Sequence, residues 1–219
     1  MSKIVIFGNG DIAELAHFYF SNDSNYVVSA FSVDAKYLQN ETYLGLPNVD
    51  FANVEKLYNP SEYDFFVAVS YAQMNDLRLE KCNAAKEKGY TLVNYISSKA
   101  TIFTDLANNE NCFILEDNTI QPFAKIGNNV TLWSGNHIGH HSVIGDNSFI
   151  TSHVVISGGV NVGRNSFVGV NSTVHDHINI ADYTLLAAAS LLNKHTEKYG
   201  VYIGSPAKKS KVPSIEIKL

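Results

Sequence analysis

Cysteine is scarce in this chain: only Cys82 and Cys112 occur, far apart and without CxxC spacing. That excludes a disulfide framework or a zinc site built on paired thiolates, and predicts two buried free thiols in a reducing compartment. Charge is also sparse. Charged residues make up 17% of the chain and the formal net charge is -5. No basic field is therefore available for nucleic acid or an anionic membrane. No apolar run approaches the roughly 20 residues that cross a bilayer. The opening MSKIVIFGNGD has one Lys, a short apolar run and then glycines, without the long apolar region and cleavage site of a secretory signal. The expected location is cytoplasmic. At 219 residues, 45% of them hydrophobic, the chain has room for one domain or two modest ones.

Residues 1–98 read as strands alternating with helices. Lys3-Ile4-Val5-Ile6-Phe7 is a short apolar strand ended by Gly8-Asn9-Gly10. Residues 11–20 follow with Ile12, Leu15, Ala16 and Tyr19 at helical spacing. Further strands are predicted at 26–31, 63–69 and 90–94, with a polar helix over 75–88 stopped by Gly89. Such alternation implies a small parallel α/β sheet. The turn Gly8-Asn9-Gly10-Asp11-Ile12-Ala13 fits G-x-G-x-x-A between a strand and a helix, which taken alone points to NAD or FAD.

Residues 99–219 obey a different rule. Every sixth residue from Ile102 to Leu186 is Ile, Leu or Val, with Asn108 the single break. Chance would fill roughly a quarter of such positions. Gly follows the aliphatic at 127, 139, 145, 163 and 169, and four residues after it come small or β-branched side chains such as Ser142, Ser148, Val154 and Val160. This period fits a triangular coil of three short strands, about eighteen residues per turn and about five turns. The aliphatic points inward, and glycines suit corners where a side chain would clash or φ must be positive. Asn108 predicts an irregular first coil over residues 105–111.

These features together, with Gly200-Val201-Tyr202-Ile203-Gly204-Ser205-Pro206-Ala207-Lys208 near the end, resemble the bacterial nucleotide-sugar N-acetyltransferases of the sialic-acid O-acetyltransferase-like, hexapeptide-repeat group. The resemblance covers nearly the whole chain. It implies a Rossmann-like α/β N-terminal domain binding a nucleotide sugar (1–98), then a left-handed parallel β-helix acyltransferase domain with a CoA-contacting tail (99–219). It also implies a homotrimer, acetyl-CoA as co-substrate and no metal.

The resemblance implies site residues as well. A His followed shortly by a hydrophobic-Gly pair serves the family as general base, and Gly139-His140-His141-Ser142-Val143-Ile144-Gly145 places it at His140. An imidazole accepts a proton readily near neutral pH. Two family features are missing here. The acidic residue that commonly follows the base is replaced by His141, leaving Asp146 or a backbone carbonyl as candidates to orient His140. A second His nine residues on is replaced by Phe149, with His153 and His137 as substitutes. Backbone N–H groups near Gly158 and Ala188 are expected to hold the thioester carbonyl. Gly204, Pro206, Ala207 and Lys208 are expected at the adenine end of CoA. The turn Gly8, Asn9, Gly10, Asp11 and Ile12 would hold the nucleotide sugar, with its phosphate near the helix N-terminus. Asp34, Ser70 and Tyr71 lie beyond strands at the same carboxyl edge.

The expected reaction moves acetyl from acetyl-CoA to the amine of a nucleotide-linked amino sugar, with dTDP-4-amino-4,6-dideoxyglucose as acceptor, in surface-polysaccharide synthesis. UDP-linked analogues, O-acetylation of a sialic acid and a non-catalytic NAD-binding or scaffolding role are the alternatives.

Overall fold

A computed structural model describes residues 2–217. They form two compact units: residues up to Ser70 together with Arg78–Tyr95, and Tyr71–Leu77 together with Ile96 onward.

In the first unit, the β-branched and aromatic run of β1 (Ser2–Phe7) forms an interior strand of a sheet. Ile4, Val5 and Ile6 are fully buried because both faces are covered. The elements that follow are α1 (Asp11–Asn22), β2 (Tyr26–Val33), β3 (Thr42–Tyr43), β4 (Leu46–Asp50), α2 (Val54–Leu57), β5 (Tyr63–Val67) and α3 (Asp76–Glu87). Strand order is β3-β4-β2-β1-β5. All pairs are parallel except the β3–β4 hairpin, an element the sequence pattern does not announce. The strand expected at 90–94 reduces to one parallel bridge, Phe65 to Leu92. Helix α1 buries Ala13, Ala16 and Phe20, rotated slightly from the expected Ile12, Leu15, Ala16 and Tyr19 face. Phe20 sets that rotation, since its ring meets Tyr26, Phe66 and Tyr95 edge-on.

The second unit is the left-handed parallel β-helix. Its first face carries the strands Thr101–Ile102, Thr119–Ile120, His137–Ile138, Val155–Ile156, Thr173–Val174 and Leu191–Leu192. The second carries Lys125–Ile126, Val143–Ile144, Asn161–Val162 and Asn179–Ile180. The third runs from Phe113–Ile114 through Thr131–Leu132, Phe149–Ile150, Phe167–Val168 and Leu185–Leu186 to Val201–Ile203, with Lys208–Lys209 added antiparallel. Within the repeats each strand pairs with the one eighteen residues on, as in Ile126 with Ile144 and Val162 with Ile180, and the last parallel pair, Leu185 with Val201, closes in sixteen. The second residue of each two-residue strand from Thr101–Ile102 to Leu191–Leu192 is the hexad aliphatic, and together these fill the prism. The register continues one hexad beyond expectation, to Leu192. No strand forms around Asn108, where the first coil is irregular.

At the corners the two reasons expected for glycine, positive φ and a side-chain clash, fall on different positions. Every sixth residue from Asn111 to Ala189 has positive φ, yet only Gly135 and Gly159 among them are glycine. Asn occupies many of the others, the residue whose short polar side chain best tolerates this region. Glycines 127, 139, 145, 163 and 169 have another purpose: a methyl group at any of them would lie within 2.9 Å of backbone one coil on. They let successive coils approach.

One corner column is polar and buried. Asn111 donates to Asn129 at 2.9 Å, Asn129 to Asn147 at 2.9 Å and Asn147 to Asn165 at 3.4 Å. Asn165 donates to Met74 O at 3.0 Å and Asp76 Oδ1 at 2.9 Å. Tyr183, next in the column, donates its hydroxyl to the same carboxylate at 2.9 Å. Burial first, and then this bond, pushes the Tyr183 hydroxyl up to about 12. The segment carrying Asp76 holds Gln73, Met74 and Asn75 at φ of 54°, 51° and 70°. Met74 packs with Leu185 and Val201.

Candidate active site

The corner between the first and second faces carries His140. Its N–H donates to Gln121 Oε1 at 2.8 Å, and its carbonyl accepts from Gly159 N at 2.9 Å. The ring lies across Gly158, one coil on. A methyl group at Gly158 would sit 2.6 Å from Cε1 and 2.7 Å from Nε2 of His140, so only glycine admits the ring there. The sequence register and the structure agree on this pairing.

His140 Nδ1 lies 3.1 Å from Nδ1 of His141. His141 has φ of 59°, which turns its side chain back toward its neighbour, and its ring packs on Phe123 with centroids 4.7 Å apart. Asp146 is elsewhere: its Oδ1 accepts from Asn128 N at 2.8 Å, at the corner between the second and third faces. Sequence spacing could not show which way the ring at 141 turns, and it left Asp146 or a backbone carbonyl open as the partner.

Phe149, at the position of the missing second His, is 1% exposed. It stacks on Phe167 at 5.8 Å, and the Tyr71 ring meets both edge-on at 5.0 Å. Phe149 is thus part of an aromatic cluster that Trp133 joins at 6.3 Å. The cluster also employs the Tyr71 ring in packing. His137 lies on a first-face strand. His153 stands at the corner between third and first faces with its ring over Gly135. Neither makes a hydrogen bond or ring contact with His140 among the described residues.

Ala188 shares that third-to-first corner and stands apart from the His140 corner. The terminal motif gathers there too. Gly204 N donates to Ser190 Oγ at 3.1 Å, Leu191 N to Gly204 O at 3.1 Å and Ala207 N to Leu191 O at 2.7 Å. Pro206 follows a cis peptide bond, and Lys208 is exposed. The structure thus makes two groupings, His140 with Gly158 and Ala188 with the 204–208 tail.

The first unit holds the remaining residues. Gly8 has φ of 127°, and a methyl group there would lie 2.7 Å from Ala68 O, so β1 can turn into α1 only with glycine at this point. Asn9 donates to Tyr37 O at 3.1 Å, while Gly10 is open to solvent. Asp11 and Glu14 place two carboxylates in the first turn of α1, with Ile12 half-buried. They favour the helix dipole and oppose an anion at the same place. Ser70 is half-buried beyond β5. Asp34 is held by Lys81, Nζ to Oδ1 at 2.9 Å. The Lys81 side chain is 12% exposed and its Nζ lies 5.5 Å from the centre of the Phe7 ring. Burial pulls its pKa down, but the bond and charge of Asp34, with Glu80, more than offset that and hold it above the ordinary lysine value. This cation went unnoticed in the sequence because nothing local marks one lysine of α3 from another.

Among the described residues no group of three His, Cys, Asp or Glu side chains could hold a metal ion, and no helix is long and apolar enough to cross a membrane.

Residues 123–158 match the bacterial transferase hexapeptide (six repeats) family model. Among solved structures, PerB from Caulobacter crescentus, in complex with CoA and GDP-perosamine, is 23% identical with a TM-score of 0.82, covering 96% of this chain and 98% of its own. The acetyltransferase domain of PglB from Neisseria gonorrhoeae is 16% identical with a TM-score of 0.84, covering 96% and 100%. WeeI from Acinetobacter baumannii is 14% identical with a TM-score of 0.79, covering 95% and 100%. What the chain shares with all three, end to end, is their fold: an N-terminal α/β unit and a left-handed β-helix of hexapeptide repeats.

Proposed function

We propose that the protein transfers acetyl from acetyl-CoA to the amine of a nucleotide-linked amino sugar, with His140 as general base. The observation that carries the reading is the seating of the His140 ring on Gly158. An imidazole and the Gly158 backbone are then neighbours at one corner, and the Gly158 N–H makes no hydrogen bond to backbone among the described residues. The likeness to a fold represented by PerB with CoA and GDP-perosamine supports the substrate class.

In this reading the sugar ammonium first loses a proton to solvent. The free amine attacks the thioester carbonyl carbon, forming the C–N bond, while the Gly158 N–H donates to the developing oxyanion. His140 Nε2 takes the second amine proton. The C–S bond then breaks, and the leaving CoA thiolate receives that proton from the His140 imidazolium. No covalent acyl-enzyme is required. Residues 1–98 form the nucleotide-sugar domain in this proposal, with Gly8, Asn9, Gly10, Ile12, Asp34 and Ser70 at the carboxyl edge of the sheet and Lys81 supplying the cation. Residues 99–219 form the acyltransferase domain, with Ala188, Gly204, Pro206, Ala207 and Lys208 along CoA. Action as a homotrimer in the cytoplasm, in polysaccharide synthesis, belongs to the same proposal.

The test is thiol release from acetyl-CoA with a panel of dTDP-4-amino-4,6-dideoxyglucose, its UDP analogue and GDP-perosamine. At least one acceptor should accelerate release, and His140→Ala should lower that kcat by a hundredfold or more, within the range of general-base contributions. Activity that survives His140→Ala overturns the base assignment; a panel without any acceptor overturns the function.

A further inference from the structure

We infer that His141 is the positioning residue for His140, its neutral Nδ1 accepting a hydrogen bond from the His140 Nδ1–H. The inference rests on the proposed reading of His140 as the base. The 3.1 Å Nδ1···Nδ1 separation is a hydrogen bond only if one ring donates and the other accepts. When His140 is the donor, its Nδ1 carries the proton and its Nε2 is left as a bare lone pair, the form a base requires. The reverse arrangement puts the proton on Nε2 and disables it.

The geometry around the pair holds both rings in this contact. His141 is clamped by its positive φ and by the Phe123 ring, and the His140 ring is fixed from the other side by Gly158. Gln121 is spent on the His140 N–H. The other ionisable groups at this corner lie further up the column: His177 rests over Gly159, and Asp176 is bonded to His175 at 2.5 Å. No carboxylate contacts either ring of the pair among the described residues.

A neutral acceptor has a consequence that a carboxylate lacks. A carboxylate beside an imidazole favours the imidazolium and raises its pKa, whereas a second imidazole adds no negative charge, and once protonated it repels. The base must be unprotonated to work, so the acid limb of the rate profile lies at lower pH with His141 than with an acid there.

Imidazole nitrogen NMR of the unliganded protein should show His140 as the Nδ1–H tautomer. The pH dependence of kcat/KM is then compared for the wild type, H141A and H141D. H141A should lower kcat tenfold or more while leaving both KM values within a factor of about two; Ala189 occupies an equivalent positive-φ corner, so alanine fits the backbone. H141D should recover most of the rate, with its acid limb moved upward by about one pH unit. An Nε2–H tautomer at His140, or an H141A variant with the wild-type rate and profile, overturns the inference. Should His140→Ala itself remain active, the base reading falls, and the tautomer spectrum alone then decides the His140–His141 bond.

Discussion

At Gly158 the working feature is a missing side chain. The His140 ring occupies the volume that a Cβ would need, so Gly158→Ala must push the ring off the corner or tilt the coil. We expect kcat to fall tenfold or more, because a base displaced by about an ångström loses its near-attack geometry. The thermal midpoint should move little, since the ring is exposed and can swing into solvent. Steady-state kinetics beside a melting curve checks this, and a variant with unchanged kcat would show that the ring does not act from its seat on Gly158. Much at this scale is legible in the sequence: the hexad register alone pairs His140 with Gly158, because eighteen residues make a coil. The partner of His140 is not legible there. Two adjacent residues normally point apart, and only the positive φ at His141 brings the rings together.

Among the elements, the Asn column shows how the β-helix sustains so many left-handed corners. A non-glycine residue there costs roughly 1–2 kcal/mol, and Asn offsets part of this by passing a hydrogen bond from coil to coil. Asn147→Ala removes two links at once, the acceptor for the Asn129 amide and the donor to Asn165. With about 1–3 kcal/mol for each buried group that loses its partner, we expect a loss of roughly 2–6 kcal/mol in urea unfolding. Asn171→Ala is the matched control. Its φ of 58° is similar, but it is exposed and outside the column, so its loss should stay at about 1 kcal/mol. Equal losses would mean that backbone conformation, and not the ladder, is the source. The aliphatic hexads are plain in the sequence because they repeat without a partner. The Asn column is not, because its logic is the eighteen-residue neighbour, and the conspicuous glycines mark corner positions where a side chain would clash, not those where φ is positive.

For the whole molecule, strand–helix alternation in one half and a six-residue period in the other are enough to separate the two from sequence. The assignment of residues 71–77 to the β-helix unit has no local signal; it rests on Asp76, Met74 and Tyr71 meeting residues about 80 to 130 positions away. The two corner groupings bear on assembly. His140 with Gly158 and Ala188 with the 204–208 tail occupy different edges of one prism. In the proposed closed three-fold ring, the edge of one copy faces a different edge of the next. A reaction centre using both groupings is then shared between neighbouring copies. Complementation tests this. Chains carrying His140→Ala are mixed during refolding with chains in which Gly204 and Pro206 are both replaced by bulky residues, each inactive alone. If each site draws its base from one copy and its tail from the next, random assembly leaves about a quarter of sites with both intact, and activity should return to about that fraction of wild type. Sites built within single chains would stay dead in every mixture, because no chain then carries a complete set.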